Sequence, residues 1–310
     1  MMKNVIRIGT RQSALALAQS LEVKKRLQRR FKNFKFQLVS VNTTGDRFRR
    51  VTQWDRSAVG VFTKELERAL RHGKLDLAVH SLKDLPTEIA NGLCLAAITR
   101  RLDPRDVLVS RHGASIQKLP PCSRVGTGSP RRKCQLARLR PDLKLVDIRG
   151  NLDTRIKKAL LGKEVDAVVV ARAGLLRLKK FSRFASIISE KILLPAVGQA
   201  ALAIEVRKKD KRIFKMVRSL NHLDTEIKTR AERMFLKTLE GGCRVPVGIT
   251  SQSKNGRLWL KAGVFSPNTT DALFAEISGP VSESRRLGQR LGRILLQKGA
   301  VRFLKEARHD

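Results

Sequence analysis

The stretch Ile6-Arg7-Ile8-Gly9-Thr10 has the pattern of a short buried strand that ends in a Gly-Thr turn, and a helical pattern over residues 13–27 follows it. A second copy occurs later, where Arg124-Val125-Gly126-Thr127 leads into a helical pattern over residues 129–139. The N-terminus of a helix exposes unpaired N–H groups and a partial positive charge, which favour bound anions. Neither turn has the spacing of GxGxxG or of a Walker loop, so a nucleotide is not indicated. The two turns predict related lobes. The arginines near the two helix starts either bind anions or are only solvated residues of the first turn, and the turns alone leave both interpretations open.

The repeat extends beyond these turns to further strands and to the helix ends that precede them. Its remaining members, in matching order, are residues 36–41 and 144–148 as strands, residues 63–71 and 160–162 as helix ends, and residues 75–79 and 165–170 as strands. Thr63 is expected to cap its helix, and Gly73 and Gly162 stand where helices end in the left-handed conformation. Continuous apolar strands that alternate with helices indicate parallel sheets covered on both faces. We therefore predict an α/β protein with two duplicated lobes around a cleft.

After about residue 217 the pattern changes to a long helix, three strand-like stretches and a final helix. The stretches are a helix over 224–239, strands over 245–250, 258–264 and 273–277, and a helix over 282–298. This order predicts a third domain of α+β type. The expected division is residues 1–99 with 200–217 for domain 1, residues 104–194 for domain 2 and residues 220–310 for domain 3.

Cys243 lies in Leu239-Glu240-Gly241-Gly242-Cys243-Arg244-Val245-Pro246. Paired glycines leave space for a bulky group beside the thiol, and Arg244 favours the thiolate, which is the nucleophilic form. The alternative is an inert cysteine that acts as a small buried hydrophobe in a turn. The segment alone leaves both interpretations open.

A second candidate segment is His80-Ser81-Leu82-Lys83-Asp84-Leu85-Pro86, which directly follows the strand predicted over residues 75–79. Ligands of open α/β sheets bind beyond the carboxyl ends of the strands, where Lys83 and Asp84 are placed. The alternative is an ordinary polar turn that Pro86 ends.

The chain has 65 Lys and Arg against 27 Asp and Glu, a net charge of +38. Such an excess attracts anions of any kind, including nucleic acid. Aromatic residues make up only 5% and Tyr is absent, so platforms for stacking bases are scarce. Four cysteines without a CxxC pair argue against a zinc site or a disulfide framework. With no long apolar run and with charges interrupting the N-terminal segment, we expect a cytoplasmic protein with no membrane or nucleic-acid partner and no metal.

Taken together, the motifs resemble the porphobilinogen deaminase family along nearly the whole chain. The segments that carry the resemblance are residues 7–19, 44–47, 62–67, 79–86, 125–136, 149–155, 194–199 and 239–248. The resemblance implies that Cys243 carries a dipyrromethane cofactor through a thioether bond. It further implies that four porphobilinogen molecules are joined in sequence, each losing ammonia, and that water releases linear hydroxymethylbilane for tetrapyrrole and heme synthesis. We expect a monomer with a transient hand-off of this product to uroporphyrinogen-III synthase.

The resemblance also assigns roles to side chains. Asp84 is expected to stabilise positive charge on a pyrrole nitrogen or to move protons during loss of ammonia. The residues that match positions binding the carboxylates of cofactor and substrate are Arg11, Ser13, Gln19, Lys83, Ser129, Arg131, Arg132, Arg149, Arg155 and Arg177. Guanidinium groups bind carboxylates bidentately, so they fix the orientation of each ring as well as its charge.

Three positions depart from the family pattern. Residues 57–61 lack the Gly-Gly-Lys that usually precedes the Lys-Glu-Leu-Glu helix, Gly128 replaces a common serine, and Ala200 replaces a common glycine. Two other interpretations stay open. A non-catalytic anion-binding protein resembling the type II periplasmic binding proteins would explain the lobes but neither the third domain nor Cys243, and a nucleic-acid-binding protein would explain only the charge.

Overall fold

The computed structural model describes residues 5–41, 63–179, 184–239 and 245–309. Cys243 with its two glycines, residues 57–61 and the motif at residues 44–47 lie outside the described residues. The chain forms two compact units, residues 1–101 with 201–226 and residues 102–200 with 227–310. The division into three domains predicted above stays a prediction, since residues 102–200 and 227–310 fall within one unit.

The described residues contain thirteen strands and nine α-helices, numbered here in chain order. The strands are β1 Val5–Arg11, β2 Lys35–Val41, β3 Leu77–Ser81, β4 Leu93–Ile98, β5 Asp106–Ser110, β6 Arg124–Gly126, β7 Lys144–Val146, β8 Ala167–Ala171, β9 Ala185–Ile187, β10 Leu202–Arg207, β11 Val247–Lys254, β12 Arg257–Phe265 and β13 Ala272–Pro280. The helices are α1 Ala14–Arg30, α2 Lys64–Arg71, α3 Pro130–Leu139, α4 Leu152–Leu161, α5 Arg172–Leu178, α6 Lys211–Arg218, α7 Leu223–Thr238, α8 Ser284–Leu295 and α9 Val301–His309.

The predicted duplication is confirmed by the order of strands in two five-stranded sheets. The first unit has the order β2-β1-β3-β10-β4, and the second unit has the order β7-β6-β8-β5-β9. In each sheet the first three strands are parallel, and the fourth is antiparallel to both of its neighbours. The sheets are therefore mixed, not purely parallel as predicted. Each antiparallel strand is the first one after the chain passes from one unit to the other.

The same ion pair fastens the start of both repeats. In the first unit, Arg7 donates through its backbone N and its Nε to Asp76 Oδ2 at 2.8 and 3.0 Å. In the second, Arg124 donates through the same two atoms to Asp166 Oδ2 at 2.7 and 3.3 Å. The guanidinium of Arg7 also donates to the carbonyl of Gly73, and that of Arg124 donates to the carbonyl of Gly162. Each glycine lies at the helix end that precedes the aspartate. Each aspartate lies one residue before the third strand of its repeat, so this clamp fixes where that strand begins.

The helix ends of the repeat lie where the sequence places them. Thr63 occupies the N-cap position of α2, although within the described part of the chain its side chain makes no cap hydrogen bond. Gly73 and Gly162 both have a φ of +68°, in the left-handed region that favours glycine. The strands predicted from residues 75 and 165 begin later, at Leu77 and Ala167.

The third sheet, β11-β12-β13, is antiparallel and belongs to the second unit. It packs with α7 and α8 around one apolar core that includes Phe235, Leu260 and Leu291. The predicted final helix is α8, which continues into a π-helical turn over Leu296–Ala300. Gly299 in this turn has a φ of +96°, and a separate helix that the sequence did not predict, α9, follows. None of the helices that the structure describes is long and apolar enough to cross a membrane.

Candidate active site

In the first unit, five of the predicted site residues lie at one edge of the sheet. Arg11 is the last residue of β1, and Lys83 and Asp84 form a 3₁₀ turn directly after β3. Because β1 and β3 are adjacent and parallel, their carboxyl ends meet at this edge. The two remaining residues of the set, Ser13 and Gln19, belong to the helix that follows β1.

Ser13 and Gln19 have structural partners. Ser13 is the N-cap of α1, and its Oγ accepts a hydrogen bond from the backbone N of Ala16 at 3.3 Å. Gln19 is buried and donates through Nε2 to Ser81 Oγ at 2.8 Å. Ser81 is the last residue of β3, so Gln19 fastens α1 to the strand that carries Asp84. Asp84 itself is exposed, and Lys83 is half-buried.

In the second unit, Arg131 and Arg132 lie in the first turn of α3 and are only 4% and 6% exposed. Both bind the fully buried Asp106: Arg131 Nη2 lies 2.7 Å from Oδ2, and Arg132 Nη2 lies 2.7 Å from Oδ1. Each guanidinium also donates to a backbone carbonyl, that of Leu194 or Val169. Their Nε atoms are buried and have no hydrogen-bond partner among the described residues.

The charges around this cluster are unbalanced. Arg155 lies near Arg132. Burial lowers the pKa of Arg155, and the positive charge of Arg132 lowers this pKa further. Burial raises the pKa of Asp106, but the charges and hydrogen bonds of Arg131 and Arg132 outweigh burial and hold that pKa well below its usual range. Asp106 is therefore ionised at neutral pH. Asp106 pairs with two guanidiniums, and the charge of a third, Arg155, acts on Arg132. Such an excess of positive charge favours further anions.

The other predicted residues of this unit surround the same sheet edge. Ser129 is the N-cap residue of α3, and Arg149 is exposed in the segment that follows β7. Arg155 donates through Nε to the carbonyl of Gly150 at 2.8 Å. Arg177, near the end of α5, donates through Nη2 to the carbonyl of Ala200 at 3.1 Å. The arrangement offers guanidinium donors in the segments that follow β6 and β7, and Arg177 in the helix that follows β8.

Asp106 is a site residue that the sequence reasoning missed. It begins β5, an otherwise apolar strand, and it also accepts a hydrogen bond from Gln199 Nε2 at 2.9 Å. A lone acid at the head of an apolar strand, in a chain with so few acids, was the available signal. Among the described residues, no group of three or more His, Cys, Asp or Glu side chains could hold a metal ion.

Two family models match the chain. One describes "Porphobilinogen deaminase, dipyromethane cofactor binding domain" and matches residues 6–215, and the other describes "Porphobilinogen deaminase, C-terminal domain" and matches residues 227–297. The chain belongs to the porphobilinogen deaminase family. It is thus a transferase by family, and its longer family domain is one that binds a dipyrromethane cofactor.

Full-length relatives agree with this membership. The porphobilinogen deaminase of Pelotomaculum thermopropionicum is 41% identical over 309 residues, covering 100% of this chain and 99% of the relative. Those of Desulforudis audaxviator and Chlorobaculum tepidum are each 43% identical and cover 99% of both chains. The methionine-binding protein MetQ is a structural neighbour with a TM-score of 0.43 and 12% identity over 70% of this chain and 90% of its own. The α/β class follows from the strand order of the two five-stranded sheets.

The residues present suit a cofactor that carries carboxylates. Arg131 and Arg132 each have a buried Nε–H that lacks a partner in the described part of the chain. An unpaired buried donor is costly, and a bound carboxylate is an acceptor that would satisfy it. A dipyrromethane bears acetate and propionate groups, so the donor set and the excess positive charge fit it.

Proposed function

We propose that this chain is a hydroxymethylbilane synthase. It joins four porphobilinogen molecules head to tail, each losing ammonia, and water releases the linear tetrapyrrole. Family membership supports this reaction class. The observation that carries the assignment of a site is the set of guanidiniums around Asp106, with two buried N–H donors that lack a partner in the described chain.

The arginines of the second unit bind the acetate and propionate groups of cofactor and substrate. Arg131 and Arg132 are held in place by Asp106, so their remaining donors keep a fixed direction. Arg149 and Arg155 are less buried than Arg131 and Arg132. Arg149 presents its guanidinium from the segment after β7, and Arg155 presents its guanidinium from the first turn of α4. Fixed donors orient each pyrrole ring before reaction, which lowers the entropic part of the barrier. In the first unit, Arg11 and Lys83 add positive charge to the edge that carries Asp84.

Asp84 acts on the charge that develops when ammonia leaves the substrate. Departure of ammonia leaves an electron-poor methylene carbon conjugated to the positively charged pyrrole nitrogen. When a second pyrrole ring attacks this carbon, the positive charge passes to the nitrogen of the attacking ring and stays there until that ring loses its α proton. An exposed carboxylate on a short turn after β3 can accept the pyrrole N–H and stabilise this charge. The same carboxylate can move a proton between the ring and the departing amine.

Cys243 is the proposed attachment point of the cofactor, through a thioether from its sulfur. When bound, the dipyrromethane supplies the pyrrole carbon to which the first substrate unit is joined. We further propose that the enzyme acts as a monomer in the cytoplasm and passes its product transiently to uroporphyrinogen-III synthase. Gel filtration of the enzyme alone tests whether it is a monomer, and gel filtration with the synthase tests the contact that the hand-off requires.

The attachment is tested by intact mass. The purified protein should exceed its sequence mass by two pyrrole units, and excess thiol under denaturing conditions should not remove them, since a thioether is not a disulfide. Cys243→Ser should lack the added mass. Cys122→Ser is the matched control, because Cys122 is an exposed free cysteine and should keep the adduct when it is replaced. An adduct found on Cys122 or another cysteine contradicts the assignment.

The role of Asp84 is tested by Asp84→Asn, which keeps the shape and removes the charge. Loss of one preorganised electrostatic group should lower kcat by about 100- to 1,000-fold, with the mass of the adduct retained. Glu88→Gln is the control, since Glu88 is an exposed acid four residues further along. Near-normal turnover in Asp84→Asn would remove Asp84 from the mechanism.

A further inference from the structure

Four residues before Asp84, the imidazole of His80 contacts the carboxylate of Glu205. His80 Nε2 lies 3.2 Å from Glu205 Oε2, and the two side chains are 4% and 0% exposed. His80 belongs to β3 and Glu205 to β10. The two strands are antiparallel, with His80 opposite Ala203 and Glu205 opposite Ala78, so the pair is a diagonal contact on one face of the sheet.

This pair is polar in an apolar environment. The residues directly opposite its members, Ala78 and Ala203, are fully buried. Glu205 Oε1 is also buried and has no hydrogen-bond partner among the described residues. Apolar residues of similar volume would often give equal or greater stability at such a place. Stability alone therefore does not explain the pair.

The pair lies where β3 has a paired strand on one side only, apart from the hydrogen bond that Gln19 of α1 donates to Ser81. In the described part of the chain, β1 pairs with β3 at Leu77 and Ala78 and no further, whereas β10 pairs with β3 as far as Ser81. The turn that follows is tied to the same partner segment, because Leu82 N donates to the carbonyl of Ala201 at 3.0 Å. The direction in which Lys83 and Asp84 leave the sheet thus depends on how β10 holds the end of β3.

We propose that Glu205 is a positioning residue that, through His80, fixes the end of β3 and so the placement of Asp84. The proposal rests on the proposed function, in which Asp84 acts on the reacting pyrrole. Glu205 and His80 touch neither substrate nor cofactor in this account. They set the geometry of the turn, and a displacement of a catalytic group by an ångström is enough to slow a reaction strongly.

The decisive variant is the apolar pair His80→Leu/Glu205→Met, which removes the contact without leaving a buried charge. Because buried polar pairs can often be replaced by apolar residues of similar volume without loss of stability, it should fold with a wild-type melting temperature. Its kcat should fall on the order of 10- to 100-fold, because Asp84 is no longer held in place. Hydrogen exchange of the peptide over residues 81–86 should become faster. Glu205→Gln keeps an acceptor for the imidazole and should retain most of the turnover.

The matched control is Asp76→Asn, which breaks the ion pairs with Arg7 and Arg207 at the other end of the same strand. It should lower the melting temperature and leave kcat unchanged. The proposal is overturned if the folded apolar pair has wild-type kcat, or if it loses turnover no more than Asp76→Asn does. Asp84→Asn, measured alongside, separates the two hypotheses: normal turnover there removes the proposed role of Asp84, whereas a loss there with normal turnover in the apolar pair removes only the role of Glu205.

Discussion

At the scale of single residues, Asp106 is the carboxylate on which two buried guanidiniums depend. Asp106→Asn removes the charge and leaves Arg131 and Arg132 uncompensated. Breaking a buried pair in this way should lower the free energy of unfolding by about 3–5 kcal/mol. Urea unfolding followed by circular dichroism measures the loss. Asp166→Asn is the control, because its pair with Arg124 is well exposed at 38% and 41% and should contribute much less to stability.

The dependence of stability on pH provides a second measurement on the same variant. The pKa of Asp106 is lowered in the folded state, so its contribution is complete above the unfolded pKa of about 3.9 and is lost as pH falls below that value. Stability of the wild type should therefore decrease between about pH 5 and pH 2. Asp106→Asn should flatten this decrease. An equal slope in both proteins would show that other carboxylates cause the loss.

Ala200 has a φ of +75°, the left-handed region that an alanine occupies only with strain. Ala200→Gly should relieve that strain and raise the free energy of unfolding by about 0.5–1 kcal/mol, after the greater freedom of glycine in the unfolded chain is subtracted. Its carbonyl, which accepts from Arg177, is kept. Ala201→Gly has no strain to relieve and should be destabilising. A lower melting temperature for Ala200→Gly contradicts the prediction.

At the scale of elements, α7 and α8 touch through glycine. A Cβ on Gly288 would lie 2.1 Å from the carbonyl oxygen of Ala231, and one on Gly292 would lie 2.7 Å from Thr238 Cβ. Replacing glycine by alanine inside a helix usually stabilises it by about 1 kcal/mol. Here Gly288→Ala should have the opposite sign and cost about 1–3 kcal/mol, because the helices must separate. Gln289→Ala, at the next position, is the control in thermal unfolding, and a stabilised Gly288→Ala would refute the close packing.

The sequence predicts elements better than it predicts their limits. The repeat is visible because turn glycines and apolar runs recur in one order, and the two sheets share their strand order for that reason. Leu75 and Val165 belong to those runs and are buried, yet both precede their strands. An apolar run reports burial and not backbone pairing, and the Arg–Asp clamp that begins each strand is formed by residues far apart in the chain. The break at Gly299 is local, since a single glycine in the left-handed conformation separates α8 and its π-helical turn from α9.

Only part of the candidate site could be predicted from the sequence. Arg131 and Arg132 are recognisable because they open a helix after a Gly-Thr turn. Asp106 and Glu205 are harder to recognise: the only signal for each is an acid in an apolar strand, and each becomes important through a partner on another element. Nothing in the spacing of residues along the sequence indicates that Asp106 accepts one N–H donor group from each of the two arginines. The sequence therefore predicts where donors gather but not which of their N–H groups are left to bind a ligand.

At the scale of the whole molecule, the net charge of +38 offers a rival explanation for the binding of a substrate with carboxylates. A diffuse field would make any exposed lysine as important as a site arginine, and it would weaken steeply with salt, since screening acts over about 10 Å at 0.1 M. Arg155 is the clean probe, because Arg131 and Arg132 also hold Asp106 and their variants would change stability as well.

Arg155→Lys keeps the charge but loses the planar pair of donors, so KM for porphobilinogen should rise by about 10-fold, as expected when a hydrogen bond to a charged group is lost. The doubly substituted Lys208→Gln/Lys209→Gln removes two exposed charges and should change KM little. Both are measured by initial rates at low and high salt. In the wild type, KM should rise only modestly with salt, because half-buried pairs are screened less than exposed charges. If KM is unchanged in Arg155→Lys, rises in the lysine variant and climbs steeply with salt, the surface as a whole attracts the substrate and the arginines of the site do not select it.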